Sequence, residues 1–335
     1  MQVNDVQVKG AISALWLDGQ GGALPIDKLA KANTTQAKDA KLSAEQGPVW
    51  LHLDYSQPDS ANWIRDTGLL PENVKEALLG ESSRPRFTRL GEGVLITLRS
   101  INYNNDERPD QMVALRAYVS RDLIVSSRRR RLFSVEDLET ELWNGNGPTN
   151  SSEWVVEICD CMTDYASEFI DDLHEVIIEL EDGLLEHKIP DRGRLALIRK
   201  QLIVLRRYLS PQRDVYSRIA AEKISWFDDD DKRRMQEVSE RLGRTLDDLD
   251  AAISRTSVLA DEIANLLADA MNRRTYAMSL LAMMFLPISF LTGLFGVNLE
   301  GIPGKGFAGS FPLFCLTLVG LAGGIGFWLK RKRWL

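Results

Sequence analysis

The sequence predicts a mixed α/β domain at the N-terminus, a long helical stalk behind it and two membrane-spanning helices at the C-terminus. Three observations predict this. Short apolar runs alternate with helical stretches up to about residue 147, a heptad stripe leads up to residue 274, and two uncharged runs of 20 and 19 residues lie near the end. The expected division is 1–147 for the α/β domain, 148–227 for a helical hairpin and 228–274 for the stalk; 275–295 and 311–329 are the spans, 296–310 an outer loop and 330–335 a basic tail.

In the first region the apolar runs at 14–17, 49–53, 94–98, 113–119 and 123–125 read as strands. Helical patterns lie between and after them at 59–67, 72–79 and 135–142. No phosphate-cradling lysine loop, GxSxG elbow or paired-histidine metal motif occurs, and Gly19-Gln-Gly-Gly22 lacks the dinucleotide spacing. With no assembled nucleophile, acid–base pair or metal triad, neither an enzyme nor a bound cofactor is expected. The arginines at 128–131 form a basic edge, solvated or in contact with anions.

A formal net charge of -7 excludes a globally basic nucleic-acid binder. Three cysteines are too few for a disulfide framework. No apolar stretch follows a basic start at the N-terminus, so the first two-thirds is expected to stay in the cytoplasm.

Charge is concentrated in two opposed blocks. Every charged residue from 153 to 186 is acidic, and Asp160, Asp164, Glu168, Asp171, Glu175 and Glu179 step by three or four, which puts carboxylates along one helix face. From 192 to 213 the charges are all basic, after a turn at Ile189-Pro190-Asp191. The acidic face can collect cations near a pore, or pair with the basic arm, or simply be solvated. His174, beside Asp171 and Glu175, is a weak candidate metal ligand.

Residues 276–295 and 311–329 each have the length that crosses roughly 30 Å of hydrocarbon. Arg273 and Arg274 precede the first, and Lys330 to Arg333 follow the second, so both termini are expected in the cytoplasm. Two helices cannot enclose a water-filled path, and transport therefore requires several copies of the chain. The first span carries Ser279, Pro287, Ser289 and Thr292, whereas Thr317 is the only hydroxyl of the second. The first is thus the expected lining, through Ser279, Met283, Pro287, Thr292 and Phe295, unless its hydroxyls merely bond their own backbone. Ahead of it, Leu242, Leu246, Leu249, Ile253, Thr256, Ala260, Ile263, Leu267 and Ala270 alternate four and three apart, a stripe that packs on other copies or on this chain's own helices.

Phe295-Gly-Val-Asn298, directly after the first span, resembles the aromatic-Gly-Met-Asn signature of the CorA superfamily of divalent-cation channels and transporters, with valine in place of methionine. That replacement, Gly301-Ile-Pro-Gly304 and the soluble segments 81–86, 89–99, 106–111 and 199–203 are similar to a zinc-transporting bacterial branch of the superfamily. The resemblance implies a funnel-shaped homopentamer in the bacterial inner membrane, with zinc as the transported ion, cadmium and nickel as further candidates, and movement into the cytoplasm with protons. A magnesium or cobalt channel, zinc efflux and a tethered sensor are the competing readings. Five copies of Asn298 would form an amide ring that orders the water shell of a divalent ion. Gly296 permits the sharp helix exit, and Val297 and Glu300 complete the expected entrance.

Overall fold

The computed structural model describes residues 10–26, 47–80, 84–186, 190–296, 306–307 and 309–331. The chain divides into two units, Met1–Ala260 and Asp261–Leu335.

The first unit is built on a sheet of β1 (Ala11–Leu17), β2 (Ala23–Pro25), β3 (Val49–Asp54), β4 (Arg86–Leu90), β5 (Gly93–Ser100), β6 (Val113–Val119) and β7 (Leu123–Arg128). Their order is β2-β1-β3-β7-β6-β5-β4. The central pair, β3 and β7, is parallel, with Val49 opposite Leu123 and Asp54 opposite Arg128, and the remaining pairs are antiparallel. A parallel pair is normally covered on both faces, which is why 49–53 reads as a continuous apolar run rather than an alternation. One face is covered by α1 (Pro58–Asp66) and α2 (Glu72–Leu79), whose Ile64, Val74 and Leu78 share a buried cluster with Val49, Leu51, Leu53 and Val125. Pro58 opens α1, where its fixed φ and missing N–H cost nothing.

The other face carries buried polar groups. Trp50 Nε1 donates to Ser126 Oγ at 2.9 Å, and His52 Nδ1 lies 2.8 Å from the same oxygen, so the register that places His52 opposite Ser126 satisfies all three side chains in part. Burial, with Arg128 adding to it, lowers the His52 pKa to about 3, which keeps the ring neutral. After α3 (Phe133–Asn144), Gly145 turns the chain at φ 80°, a left-handed position where a side chain would be strained. The helix α4 (Ser151–Leu185) then begins, its first turn capped by Asn150, whose side chain accepts from the backbone N–H of Ser152 and of Glu153 at 2.9 and 3.0 Å. Trp154, fully buried, packs edge-on against Trp50 with ring centroids 5.4 Å apart and seats this helix on the sheet.

Two strands escape the sequence pattern. β2 is three residues long, and β4 is an edge strand carrying Arg86 and Arg89, where only Phe87 is buried. Edge strands bury one face at most, so their apolar signal is weak.

α4 is followed by α5 (Arg192–Ala221), capped by Asp191, which accepts from Gly193 N at 2.8 Å, and by α6 (Asp229–Gly296), 68 residues that include both the expected stalk and the expected first span. Within the first unit, Met235, Val238, Leu242, Leu249, Ala252 and Leu259 of α6 are buried against this chain's own helices. Of the predicted stripe in this unit, Leu242, Leu249 and Thr256 are buried, while Leu246, Ile253 and Ala260 are half-buried. Ser217 and Ser239 share a 2.8 Å hydrogen bond, and Arg206 meets Asp250 at 2.8 Å, both linking α5 to α6. A Cβ at Gly243 would lie 3.1 Å from Arg213 Nε, so a glycine there lets the arginine cross the helix closely.

The second unit contains the end of α6 and the apolar helix α7 (Ser310–Arg331).

Folded His52 stays neutral down to about pH 3, whereas unfolded His52 takes up a proton below its ordinary value of 6.5. Stability should therefore fall as pH drops from 6.5, by roughly 1 kcal/mol per unit from this group. Urea unfolding at pH 7, 6 and 5 should show a smaller slope in His52→Gln than in the wild type.

Candidate ion-conducting site

Along the first span, only Leu280, Met284, Pro287, Ile288 and Leu291 are even half-buried, and together they form one stripe. The matching stripe on α7 includes Phe314, Leu318, Leu321 and Ile325. The two helices meet where the Phe295 and Phe314 rings approach to 5.2 Å. Elsewhere large apolar side chains are bare: Met278 and Leu286 are each 70% exposed and Leu316 is 73% exposed. Apolar surface left open on two helices of this length is the surface of a membrane hairpin, not of a soluble core.

The five residues expected to line a path do not share one face. Pro287 belongs to the half-buried stripe, Met283 flanks it, Ser279 lies nearer the opposite face beside Thr275, and Thr292 lies about 180° around the helix from Met283 at 3.6 residues per turn. Phe295 is turned toward Phe314. The hydroxyls bond their own helix: Ser279 Oγ donates to the Thr275 carbonyl at 2.9 Å, and Thr292 Oγ1 donates to the carbonyls of Ile288 and Ser289 at 3.0 Å. Gly296 is the last described residue of α6. Val297, Asn298 and Glu300 lie outside the described residues.

The face opposite the half-buried stripe carries Thr275, Met278, Ala282, Ser289 and Gly293, all exposed. Polarity alone does not single these residues out. The available signal is spacing, since the small residues Thr275, Ala282, Ser289 and Gly296 recur every seven residues.

The acidic face of α4 is used mainly by α6. Glu157 pairs with Arg234, and Arg241 bridges Asp160 and Asp164, the latter at 3.0 Å. Glu181 holds Arg255 through two parallel hydrogen bonds of 3.0 and 2.5 Å. The basic arm takes part through Arg194, which meets Glu179 at 2.8 Å. Burial raises the Asp160 pKa, and the adjacent Arg241 opposes that rise. Of the six carboxylates expected to collect cations, Asp160, Asp164 and Glu179 are thus held in ion pairs, while Glu168, Asp171 and Glu175 are exposed. His174 is half-buried, and no group of three or more metal-ligating side chains occurs among the described residues.

Residues 45–331 match the family model described as CorA-like Mg2+ transporter protein. The chain belongs to the CorA family. Its relatives in that family include the zinc transport protein ZntB of Yersinia enterocolitica, 59% identical over 330 residues, which are 98% of each chain. Among solved structures, the full-length CmaX protein matches 98% of this chain and 99% of its own, at 35% identity and a TM-score of 0.82. The CorA magnesium transporter of Methanocaldococcus jannaschii matches 97% and 99% at 16% identity and a TM-score of 0.80, a likeness of fold alone. As in a CorA-family transporter, α/β domain, long helix and apolar helix pair follow one another in this chain, and the apolar pair constitutes its membrane spans.

A double-mutant cycle with Glu181→Gln and Arg255→Ala tests the bidentate pair. Both side chains are about a third exposed, so a coupling of about 1 kcal/mol is expected, shrinking as salt is raised from 0.05 to about 0.5 M. A coupling that is absent or indifferent to salt would remove the pair from the forces holding α4 to α6.

Proposed function

We propose that the protein is a zinc transporter of the bacterial inner membrane, acting as a homopentamer in which the first span of each copy surrounds the path. The observation that carries this reading is the 59% identity to a zinc transport protein over 98% of both chains. The geometry supports it in a second way. A two-helix hairpin with bare apolar sides has too few helices to enclose water, so neighbouring copies must complete the wall.

Within such an assembly, the side of the first span farthest from α7 turns toward the shared axis. Thr275, Ala282 and Ser289 are then the axial residues, and their small size allows a column wide enough for a hydrated ion. Neither span offers histidine or a carboxylate, the usual zinc partners beside thiolate, and the cysteine Cys315 lies on the outer helix. Zinc accordingly passes with its water shell, and selection falls to the amide ring of Asn298 at the outer mouth. Both termini lie in the cytoplasm, and protons accompany the ion inward.

Zinc uptake into proteoliposomes with an imposed pH gradient tests this reading. The wild-type chain should take up zinc faster with the gradient than without it, and Asn298→Ala should slow uptake about tenfold, the loss of ~1.4 kcal/mol at the entrance. Uptake of magnesium that zinc does not inhibit would favour the magnesium reading, which the description of the matched family model makes the natural alternative. In a background without native cysteines, Ser289→Cys should react with a water-soluble thiol reagent and Met284→Cys should not. The reverse pattern would reassign the axial face.

A further inference from the structure

The α/β domain holds a cavity of about 650 Å³ lined by Arg99, Arg116, Arg129 and Arg130 together with Tyr55 and Ser56. Its volume lies in the range of small-molecule sites, about 300–1,000 Å³. No carboxylate is found among the described residues that line it.

The convergence follows from strand register. Arg99 pairs with Ala114 and Thr97 with Arg116, so the two arginines, each two residues from the other's partner, stand on one face of the sheet. Arg116 lies opposite Ser127, and Leu53 lies opposite the same serine across the parallel pair. Two residues further on, where β3 and β7 run out, Tyr55 and Arg129 continue that face.

The guanidinium groups are oriented by aromatic rings. Arg99 lies 5.0 Å from the centre of the Tyr208 ring and donates to the Met112 carbonyl at 2.5 Å. Arg116, only 3% exposed, lies 5.3 Å from the Tyr55 ring and donates to Tyr55 Oη at 3.4 Å. Arg130 meets Glu107 at 3.2 Å, while Arg129 has no ion-pair partner among the described residues. An adjoining cavity of about 370 Å³ shares Met112 and Arg130 and adds Arg207 and Tyr208. It also adds Asp110, whose carboxylate is 3.5 Å from Arg108.

Four guanidinium groups around one cavity focus a positive potential that favours an anion, even with Glu107 beside Arg130, and planar guanidinium forks match the oxygens of phosphate better than those of smaller ions. We propose that this cavity is a cytoplasmic binding site for a small phosphate-bearing anion, of the size of a nucleoside di- or triphosphate. The phosphates sit among Arg99, Arg116, Arg129 and Arg130, and the rings of Tyr55 and Tyr208 flank the organic part. The site lies in the α/β domain and uses no residue of the proposed ion path.

Titration calorimetry on the purified full-length protein, with ATP, inorganic phosphate, adenosine and chloride as separate probes, tests the proposal. ATP should bind, inorganic phosphate should compete with it, and adenosine should not bind. Binding of inorganic phosphate with no binding of ATP would keep the phosphate chemistry and reassign its source to the free ion. Charge reversal at two exposed positions, Arg129→Glu with Arg130→Glu, should weaken ATP binding about tenfold or more, and Arg129→Lys, which keeps the charge but loses the fork, should weaken it less. Arg207→Glu on α5 provides a second variant should the double variant unfold earlier than the wild type. The proposal is overturned if neither ATP nor phosphate binds at millimolar concentration. It is equally overturned if folded charge-reversed protein binds ATP as the wild type does, or if chloride displaces ATP as well as phosphate does.

Discussion

The soluble unit depends on the seam between α4 and α6, where Arg234, Arg241 and Arg255 each meet carboxylates of the facing helix. Apolar side chains supply the contact area, but they do not select one register among several that a heptad stripe would tolerate. The arginines help to select it, since a slip of one turn toward the C-terminus of α4 would set Arg234 opposite Cys161 and Arg255 opposite Leu185, leaving partly buried charges unpaired. Each pair alone contributes little, being partly exposed, and their combined effect is specificity more than strength. The helix that carries these carboxylates is in turn anchored to the sheet by Trp154 against Trp50. Sheet, acidic helix and stalk are therefore joined in series.

This arrangement changes the meaning of the acidic block. A run of carboxylates with no intervening cation suggests an open negative surface, yet half of the six expected collecting residues are occupied by arginines that lie 15 to 81 positions away in the chain. What remains open is Glu168, Asp171 and Glu175, a shorter patch without a ligand cluster. The membrane helices follow a different logic. Their exposed apolar residues meet no partner among the described residues, and lipid and neighbouring copies are the environments that suit them.

Much of this was legible in the sequence. The two uncharged runs and their basic flanks follow from the cost of placing charge or unpaired backbone in hydrocarbon, a constraint strong enough to show in single residues. Residues 49–53 and 123–125 were readable as strands because both of their faces are buried, and 72–79 as a helix because its apolar residues keep to one side. Edge strands β2 and β4 were not, because so little of them is buried. The polar residues of the first span, Ser279 and Thr292, were legible, but not that their hydroxyls are taken up by their own backbone.

By itself, then, the sequence determined the order of the regions, the presence of two spans and the family resemblance at Phe295-Gly-Val-Asn298, all of which rest on local composition and spacing. Only the tertiary structure decided which helix each charge and each heptad stripe would meet, which side of the first span faces its neighbour, and that four arginines from two strands and the loop after β7 converge on one cavity. Those outcomes depend on pairing between residues far apart in the chain, and a one-dimensional pattern records how far a residue is along an element but not what stands across from it.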